Sequence, residues 1–411
     1  MKVFDITYFE GPTPQYITQS WVVEDIAAAG FTLVPLSADT DTNKAALRLL
    51  GQYGLRAVVA DPRIYALYHE KNIAPVDTTV KEVVTDYGDF ENIIGWDLCD
   101  EPSSIDFPIL AALVNAFRRY SPEKETVINL FPNYATTDQL GNPDYVTHLE
   151  EYINTVRPHY LSYDHYHFLG RDNCQRIIAD TDNERERLIR FAAENTVNRG
   201  GFFENLRDIR RVADKYQLDA MLIVLLTEHG HYRNLTYWEL LWEVNMCLVY
   251  GMRRLSYFTY WEPDDSASYW NWKNAMCDRK GKKERHYYDV QRINREVKPV
   301  GEYLFHQNCT AVFHIGEAEQ GAEVFTAYGY VKGIKGKCGV VGFFDDGSIY
   351  LVNRDYQNTQ NFQLLTDVPI TVMRDGVFVD ANSLEFALDP GAAVLLKGRY
   401  ASSADCGRQP I

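Results

Sequence analysis

Cysteine is sparse and unpatterned in this 411-residue chain: seven residues, widely dispersed, with no Cys-x-x-Cys pair. An odd, scattered set reads as reduced buried thiols and excludes a disulfide frame or a cysteine-built zinc site. Basic residues are in deficit, with 41 Lys and Arg against 57 Asp and Glu and a net charge of −16. A surface of that sign repels phosphate, so nucleic acid, an anionic membrane and a strongly acidic polymer are not expected partners. No apolar run approaches the roughly 20 residues of a membrane span. No charged–apolar–small leader precedes MKVFDITYF, which already reads as a strand. A cytoplasmic location is therefore expected, or a secreted or periplasmic one where a signal peptide has been removed. The glycine-rich turn of a dinucleotide fold is missing too, because EGPTPQ follows the first strand. There is no low-complexity tract and no repeat beyond a strand–helix period.

Aromatic residues are abundant: 28 Tyr, 20 Phe and 7 Trp. Most must fill a core, but an excess also supplies flat faces that stack on apolar ring surfaces such as those of sugars. Apolar runs alternate with amphipathic stretches through the first three-quarters of the chain. VFDITYF, FTLVPLSA, LRAVVADPR, NIIGWDLCDEP, ETVINLFPNY, YLSYDHYHF, AMLIVLLTEHG and RRLSYFTYW read as eight strands, each followed by a helical segment. One of these helical segments is expected from Asn183 to Gln217. Eight strand–helix units in about 300 residues predict an α/β fold, a (β/α)8 TIM barrel over residues 1–305. From about Cys309 the texture changes to short alternating strands, AEVFTAYGYV among them, with turn signals at DDG (345–347) and RDG (374–376). This predicts a small C-terminal antiparallel β-sandwich over 306–400, followed by a loose tail, 401–411. The sandwich is expected to brace the barrel or to join a homo-oligomer interface.

In such a barrel, function sits at the C-terminal ends of the strands. Strand one delivers Phe9 and Glu10; strand three, Asp61 and Arg63; strand four, Asp97, Asp100 and Glu101; strand five, Asn133 and Tyr134. Strand six ends on Tyr163, Asp164, His165, Tyr166 and His167. Strand seven ends on Thr227, Glu228, His229 and His231, and strand eight on Tyr260, Trp261 and Glu262. The mouth holds carboxylates, histidines and aromatics, with no serine elbow and no lysine at a strand end. Glycoside hydrolysis needs one protonated and one ionised carboxyl group, roughly 5–5.5 Å apart where the configuration is retained. Strands four and seven face each other across an eight-stranded mouth, so Glu101 and Glu228 can converge on one sugar.

Asp100-Glu101-Pro102 ending strand four, Thr227-Glu228-His229-Gly230 ending strand seven, and aromatic Trp261 closing strand eight together resemble the clan A retaining glycoside hydrolases. The resemblance spans the whole barrel order, and a trailing β-domain is common in the clan. It implies Glu101 as acid/base and Glu228 as nucleophile. Asp100 stands where many members carry an Asn that holds the sugar 2-hydroxyl; an Asp accepts that bond but cannot donate one, and capping the next helix is an equal use for it. A strand-six residue contacts the nucleophile in the clan, a role open here to Tyr166, His165 or Tyr163. Trp261 is expected to floor the sugar subsite or to fill the barrel core. Trp270 and Trp272, in the polar loop SASYWNWKN, are better placed to stack on a second sugar. Glu10 and Asn133 are further expected substrate contacts.

The implied activity is cleavage of an O-glycosidic bond in an oligosaccharide or glycoside by double displacement, with no cofactor and no metal. A metal-dependent barrel hydrolase is the rival, because His165-Tyr-His167 and His229-Gly-His231 both have His-x-His spacing. Barrel metallohydrolases usually carry that motif on strand one, where this chain has Tyr8, Phe9 and Glu10. A non-catalytic carbohydrate-binding barrel is the third class.

Overall fold

The computed structural model describes residues 3–170, 198–263 and 270–399. The expected helical stretch at 183–197, the residues 266–269 and the tail 401–411 lie outside the described residues.

The eight strands are β1 (Asp5–Tyr8), β2 (Leu33–Leu36), β3 (Arg56–Val59), β4 (Ile93–Asp100), β5 (Glu125–Leu130), β6 (Tyr160–Asp164), β7 (Asp219–Leu225) and β8 (Arg254–Phe258). They pair in parallel in the order β1-β8-β7-β6-β5-β4-β3-β2. The ring closes where Thr32, just before β2, donates its N–H to Ile6 O (2.9 Å) and accepts at its carbonyl from Arg56 N. This is the expected (β/α)8 barrel. Sequence runs overshoot strand ends, however: β5 stops at Leu130 and not at Tyr134, and β8 stops at Phe258 and not at Trp261. Aromatic and apolar residues continue past the last ladder bond because the loops beyond the strands are themselves packed.

The barrel interior is layered. At the N-terminal end Arg56 pairs with Asp5, and Arg254 with Glu125, while the Arg254 guanidinium lies 4.2 Å from the Tyr160 ring centre. Charges this deep persist because each has an opposite partner. Above them sits an apolar layer of Tyr160, Met221 and Ile223, flanked by Phe9, Val127 and Phe258. The mouth lies beyond it.

The described residues group into two compact units. One is the barrel, Asp5–Leu235 with Arg253–Arg295; the other takes the described parts of Met1–Phe4, Thr236–Met252 and Glu296–Ile411. The helix Tyr237–Val249, which follows β7 in barrel order, belongs to the second unit. There Trp242 Nε1 donates to Arg354 O (2.8 Å), Asn245 Nδ2 to Gly391 O (2.8 Å), and the Tyr350 hydroxyl to Asn245 Oδ1 (2.6 Å). The boundary expected at 305/306 follows chain order; the compact units follow packing.

The second unit contains two antiparallel sheets, β10-β13-β16 and β15-β14-β17-β12-β11-β9. These strands are β9 (Cys309–Gly316), β10 (Val331–Lys335), β11 (Cys338–Phe344), β12 (Ser348–Asn353), β13 (Gln360–Thr366), β14 (Ile370–Arg374), β15 (Val377–Asp380), β16 (Glu385–Leu388) and β17 (Ala393–Gly398). Their inner faces share one core that includes Val341, Phe343, Leu351, Phe362, Leu364 and Leu396. This is the expected β-sandwich. The RDG signal is a two-residue hairpin: Arg374 faces Val377, and Asp375 and Gly376 both have positive φ (48° and 80°). AEVFTAYGYV, by contrast, is not a strand over most of its length: before Val331, where β10 begins, it makes only isolated bridges, at Val324 and Tyr328.

Candidate active site

Strand four aims its carboxylates through an irregularity. Strict alternation would put Asp97, Cys99 and Glu101 on one face. The register slips between Asp97 and Cys99, so Asp97 lies opposite Val127 and Asp100 opposite Asn129, two positions of the same face of β5. A bulge of this kind re-aims side chains, and here it brings Asp97 and Asp100 together. Asn129 then ties strands four to six: its Nδ2 donates to Asp100 Oδ1 and to Asp164 Oδ1, both at 3.0 Å. Its own Oδ1 accepts from the Ser162 hydroxyl at 2.9 Å.

Glu10, at the end of β1, completes an acidic group with Asp97, Asp100 and Asp164. Crowding by protein pushes each of these carboxyls upward, and for Glu10, Asp97 and Asp164 the charge of a neighbouring carboxylate adds to it. Asp97 rises to about 7, from burial first and then from the charges of Asp100 and Glu10. Asp164, 5% exposed, also rises to about 7, from burial and then Asp100, against the Asn129 hydrogen bond and nearby Arg199. Glu10 and Asp100 are raised mainly by the same loss of water, although solvent reaches both at the open mouth. Such a surface accepts hydrogen bonds and suits a ligand rich in hydroxyl donors.

Glu101 follows directly. Its N–H donates to Asn129 O (2.8 Å), and its backbone is left-handed, with φ of 47°. That conformation is uncommon for a residue with a Cβ. It is more so here, because a residue before proline is driven towards extended backbone. Strain of this sort persists where the surroundings over-determine it, and it clusters at functional sites.

Glu228 lies just past β7, its side chain 9% exposed. Both carboxylate oxygens are engaged: Oε1 pairs with Lys273 Nζ at 3.1 Å, and Oε2 accepts from Asn274 Nδ2. The backbone joins in, with Lys273 N donating to Glu228 O (3.0 Å) and Gly230 N to Trp270 O (2.6 Å). The loop after β8 thus runs as a short antiparallel strap along residues 228–230. An ion pair at the rim, which any strand-end Glu could make, is present here.

Aromatic rings line the strand-seven and strand-eight side. Phe258 stacks with Tyr166 (centroids 5.4 Å apart), and Trp272 stacks with His229 (4.4 Å). Tyr166 also meets His229 and Tyr232 edge-on. Of the residues weighed on strand six, Tyr166 stands in this group. His165 instead directs Nδ1 to Asn205 Oδ1 (3.1 Å), with its ring against Tyr134 and Phe202, and Tyr163 is wholly buried. Trp261 is 2% exposed and packs with Tyr16 and Trp21; Phe258 is the strand-eight ring among the mouth aromatics. Asn133 donates through its backbone N–H to Asn205 Oδ1 and through Nδ2 to Gly201 O, each at 3.0 Å. It anchors the turn into the helix Phe202–Tyr216. Trp270 lies 6.4 Å from Trp272, centre to centre.

His165, His229 and His231 each direct one ring nitrogen to a protein group. Burial pushes His229 down to about 4, and its Nδ1 is 2.7 Å from Thr227 O. His231 Nε2 is 2.9 Å from Arg199 Nη2. Burial takes His167 down to about 3 and His165 well below the usual imidazole range. Among the described residues, no three His, Cys, Asp or Glu side chains come together as a metal-holding group. Among them too, no helix is long and apolar enough to cross a membrane.

Sequence reasoning missed Asn129, Phe258, Lys273 and Asn274. Asn129 carried a signal, as the one polar residue in the run VINL. Lys273 and Asn274 carried none, because their meeting with Glu228 depends on the path of the loop after β8.

Solved structures share this architecture. A glycoside hydrolase aligns over 95% of this chain and 90% of its own, at 11% identity and a TM-score of 0.58. A family 5 glycoside hydrolase from Bacteroides vulgatus ATCC 8482 aligns over 96% and 89%, at 11% identity and 0.57. A family 39 glycoside hydrolase from Bacteroides cellulosilyticus WH2 aligns over 97% and 81%, at 11% identity and 0.51. No protein-family model matches the sequence, and no curated protein does. At these identities the likeness is one of fold: a (β/α)8 barrel followed by a β-sandwich.

Proposed function

We propose that the chain is a retaining glycoside hydrolase acting on an oligosaccharide or glycoside, with Glu101 as acid/base and Glu228 as nucleophile. The observation that carries this reading is the pair of glutamates at the mouth ends of β4 and β7. One stands on strained backbone, and the other is a carboxylate held at both oxygens. The acceptor-rich floor around Asp100 and the rings of Phe258, Trp272 and Tyr166 support a ligand with hydroxyls on its edge and apolar faces. The fold shared with glycoside hydrolases supports it by analogy only.

In the first step the Glu228 carboxylate attacks the anomeric carbon while Glu101 gives its proton to the departing glycosidic oxygen. The carbon–oxygen bond to the leaving group breaks and a glycosyl ester of Glu228 forms. In the second, Glu101 takes a proton from water as that water attacks the same carbon, releasing the sugar and Glu228. Asp100 accepts from a sugar hydroxyl, in place held by Asn129.

A panel of 4-nitrophenyl glycosides tests this with the wild type, Glu101→Gln and Glu228→Gln. Each substitution is expected to cost about 100-fold or more in rate on whichever glycoside is cleaved. With Glu228→Ala, added azide should restore turnover and give a glycosyl azide of inverted configuration. If the wild type cleaves a glycoside and both Gln variants keep full rate, the assignment is wrong.

A further inference from the structure

The strap after β8 contributes two groups to Glu228, and they are held in different ways. Asn274 is fixed. Its backbone is left-handed (φ 56°), and its carbonyl lies 2.6 Å from Nδ1 of His286, a residue 1% exposed. A carbonyl only accepts, so Nδ1 donates to Asn274 O, and the other ring nitrogen, Nε2, lies 2.7 Å from Arg285 Nη2 and 2.9 Å from Leu235 O, which holds the ring at both ends. The strap is pinned again on the N-terminal side by the Lys273 N–H to Glu228 O, and by the Trp272 ring on His229. Lys273 is anchored only through its backbone; its side chain is 43% exposed and reaches Glu228 Oε1 on a flexible stem. The half-exposed stem of Lys273 lets its ammonium move into solvent, although the Glu228 carboxylate it meets is nearly buried.

A nucleophilic carboxylate attacks through one lone pair of one oxygen and keeps another lone pair for a hydrogen bond. Of the two partners of Glu228, Lys273 is the one whose half-exposed side chain can swing off Oε1 and clear a path to it, whereas the strap fixes Asn274 beside Oε2.

We propose that Asn274 is a positioning residue that holds Glu228 Oε2 throughout turnover, and that Lys273 is a displaceable counter-ion on Oε1, moved aside when a sugar enters. The role rests on Glu228 as nucleophile, which the Gln variants test separately. No chemical step is added: Oε1 forms the glycosyl ester, and Oε2 stays hydrogen-bonded to the Asn274 amide.

Steady-state rates of the full chain on the best-cleaved 4-nitrophenyl glycoside separate the two roles. Asn274→Ala and Asn274→Asp remove the donor, and each should lower kcat about 10- to 100-fold with KM changed by less than about 3-fold, the loss expected for one hydrogen bond to a charged group. Lys273→Met removes the competitor for Oε1, so KM should fall with kcat held within about 3-fold. Circular dichroism and thermal melting confirm that each variant is folded. The proposal is overturned if folded Asn274→Ala keeps the wild-type kcat. It is overturned equally if Lys273→Met loses kcat as severely as Glu228→Gln, since Lys273 would then be needed in the reaction. Should Glu228→Gln itself retain full rate on that glycoside, the reading of Glu228 fails and this role for its partners fails with it.

Discussion

Asp164 is one of two mouth carboxyls, with Asp97, that burial raises to about 7. It sits 5% exposed at the end of β6, shares Asn129 with Asp100, and has its carboxyl raised from 3.8 to about 7 by burial and then by Asp100. Such a rise costs its ionised form on the order of 4 kcal/mol in the folded state. Between about pH 4 and pH 7 the folded protein keeps a proton here that the unfolded chain has lost. Stability therefore declines as pH rises through that window and levels off above it. Asp164→Asn keeps an Oδ1 to accept from Asn129 and removes the ionisation. The variant and the wild type should be nearly equal at pH 4, and the variant should be more stable at pH 8. Losing the charge that faces Arg199, together with imperfect repacking, reduces the gain to about 1–3 kcal/mol. For a unit of this size that is roughly 2–10 °C in Tm. Differential scanning calorimetry of both proteins at pH 4, 6 and 8 reads the effect on the barrel transition. Parallel curves for the two proteins across this range would refute the reasoning, because the cost would then not lie on Asp164. Activity should fall while stability rises, as expected where a site holds strained charges for a purpose.

Two further outcomes follow from the same mouth. Glu101→Gly should be more stable than Glu101→Ala by about 1 kcal/mol, because glycine adopts the left-handed backbone at φ 47° without a Cβ penalty; urea denaturation of the two variants measures the difference, and equal midpoints would show that the strain is absent. Trp272→Ala removes a ring stacked 4.4 Å from His229 and adjoining Phe258, so KM on the best glycoside should rise about 2- to 10-fold with kcat less affected. A change confined to kcat would place Trp272 with the supports of Glu228 and not with the sugar contacts.

The period of the sequence carried the fold. Eight apolar runs spaced by amphipathic segments, with no dinucleotide turn after the first, define a barrel, because a parallel strand buried on both faces needs a helical return. The strand-end rule then put Glu101, Glu228, Asp100 and Tyr166 among the candidates at the mouth. All are local facts: which residue follows which, and how far each stands from a run's end. What failed was also local in kind. ETVINLFPNY and RRLSYFTYW run on past their last ladder bonds, so the strand ends were placed beyond Leu130 and Phe258, where the strands stop.

Tertiary structure decided the rest, because it depends on contacts between residues distant in sequence. The slip between Asp97 and Cys99 exists only against β5, and it puts Asp97 and Asp100 on one face. Asn129 bridges two carboxylates 29 and 35 residues away from it. Lys273 and Asn274 reach Glu228 across 45 and 46 positions of chain, through a strap held by hydrogen bonds that no motif encodes. The sequence by itself determined that two glutamates stand at the mouth of a barrel. Only folding decided which groups hold them, because a carboxylate's partners are set by the geometry of loops that meet in space and not by their order along the chain.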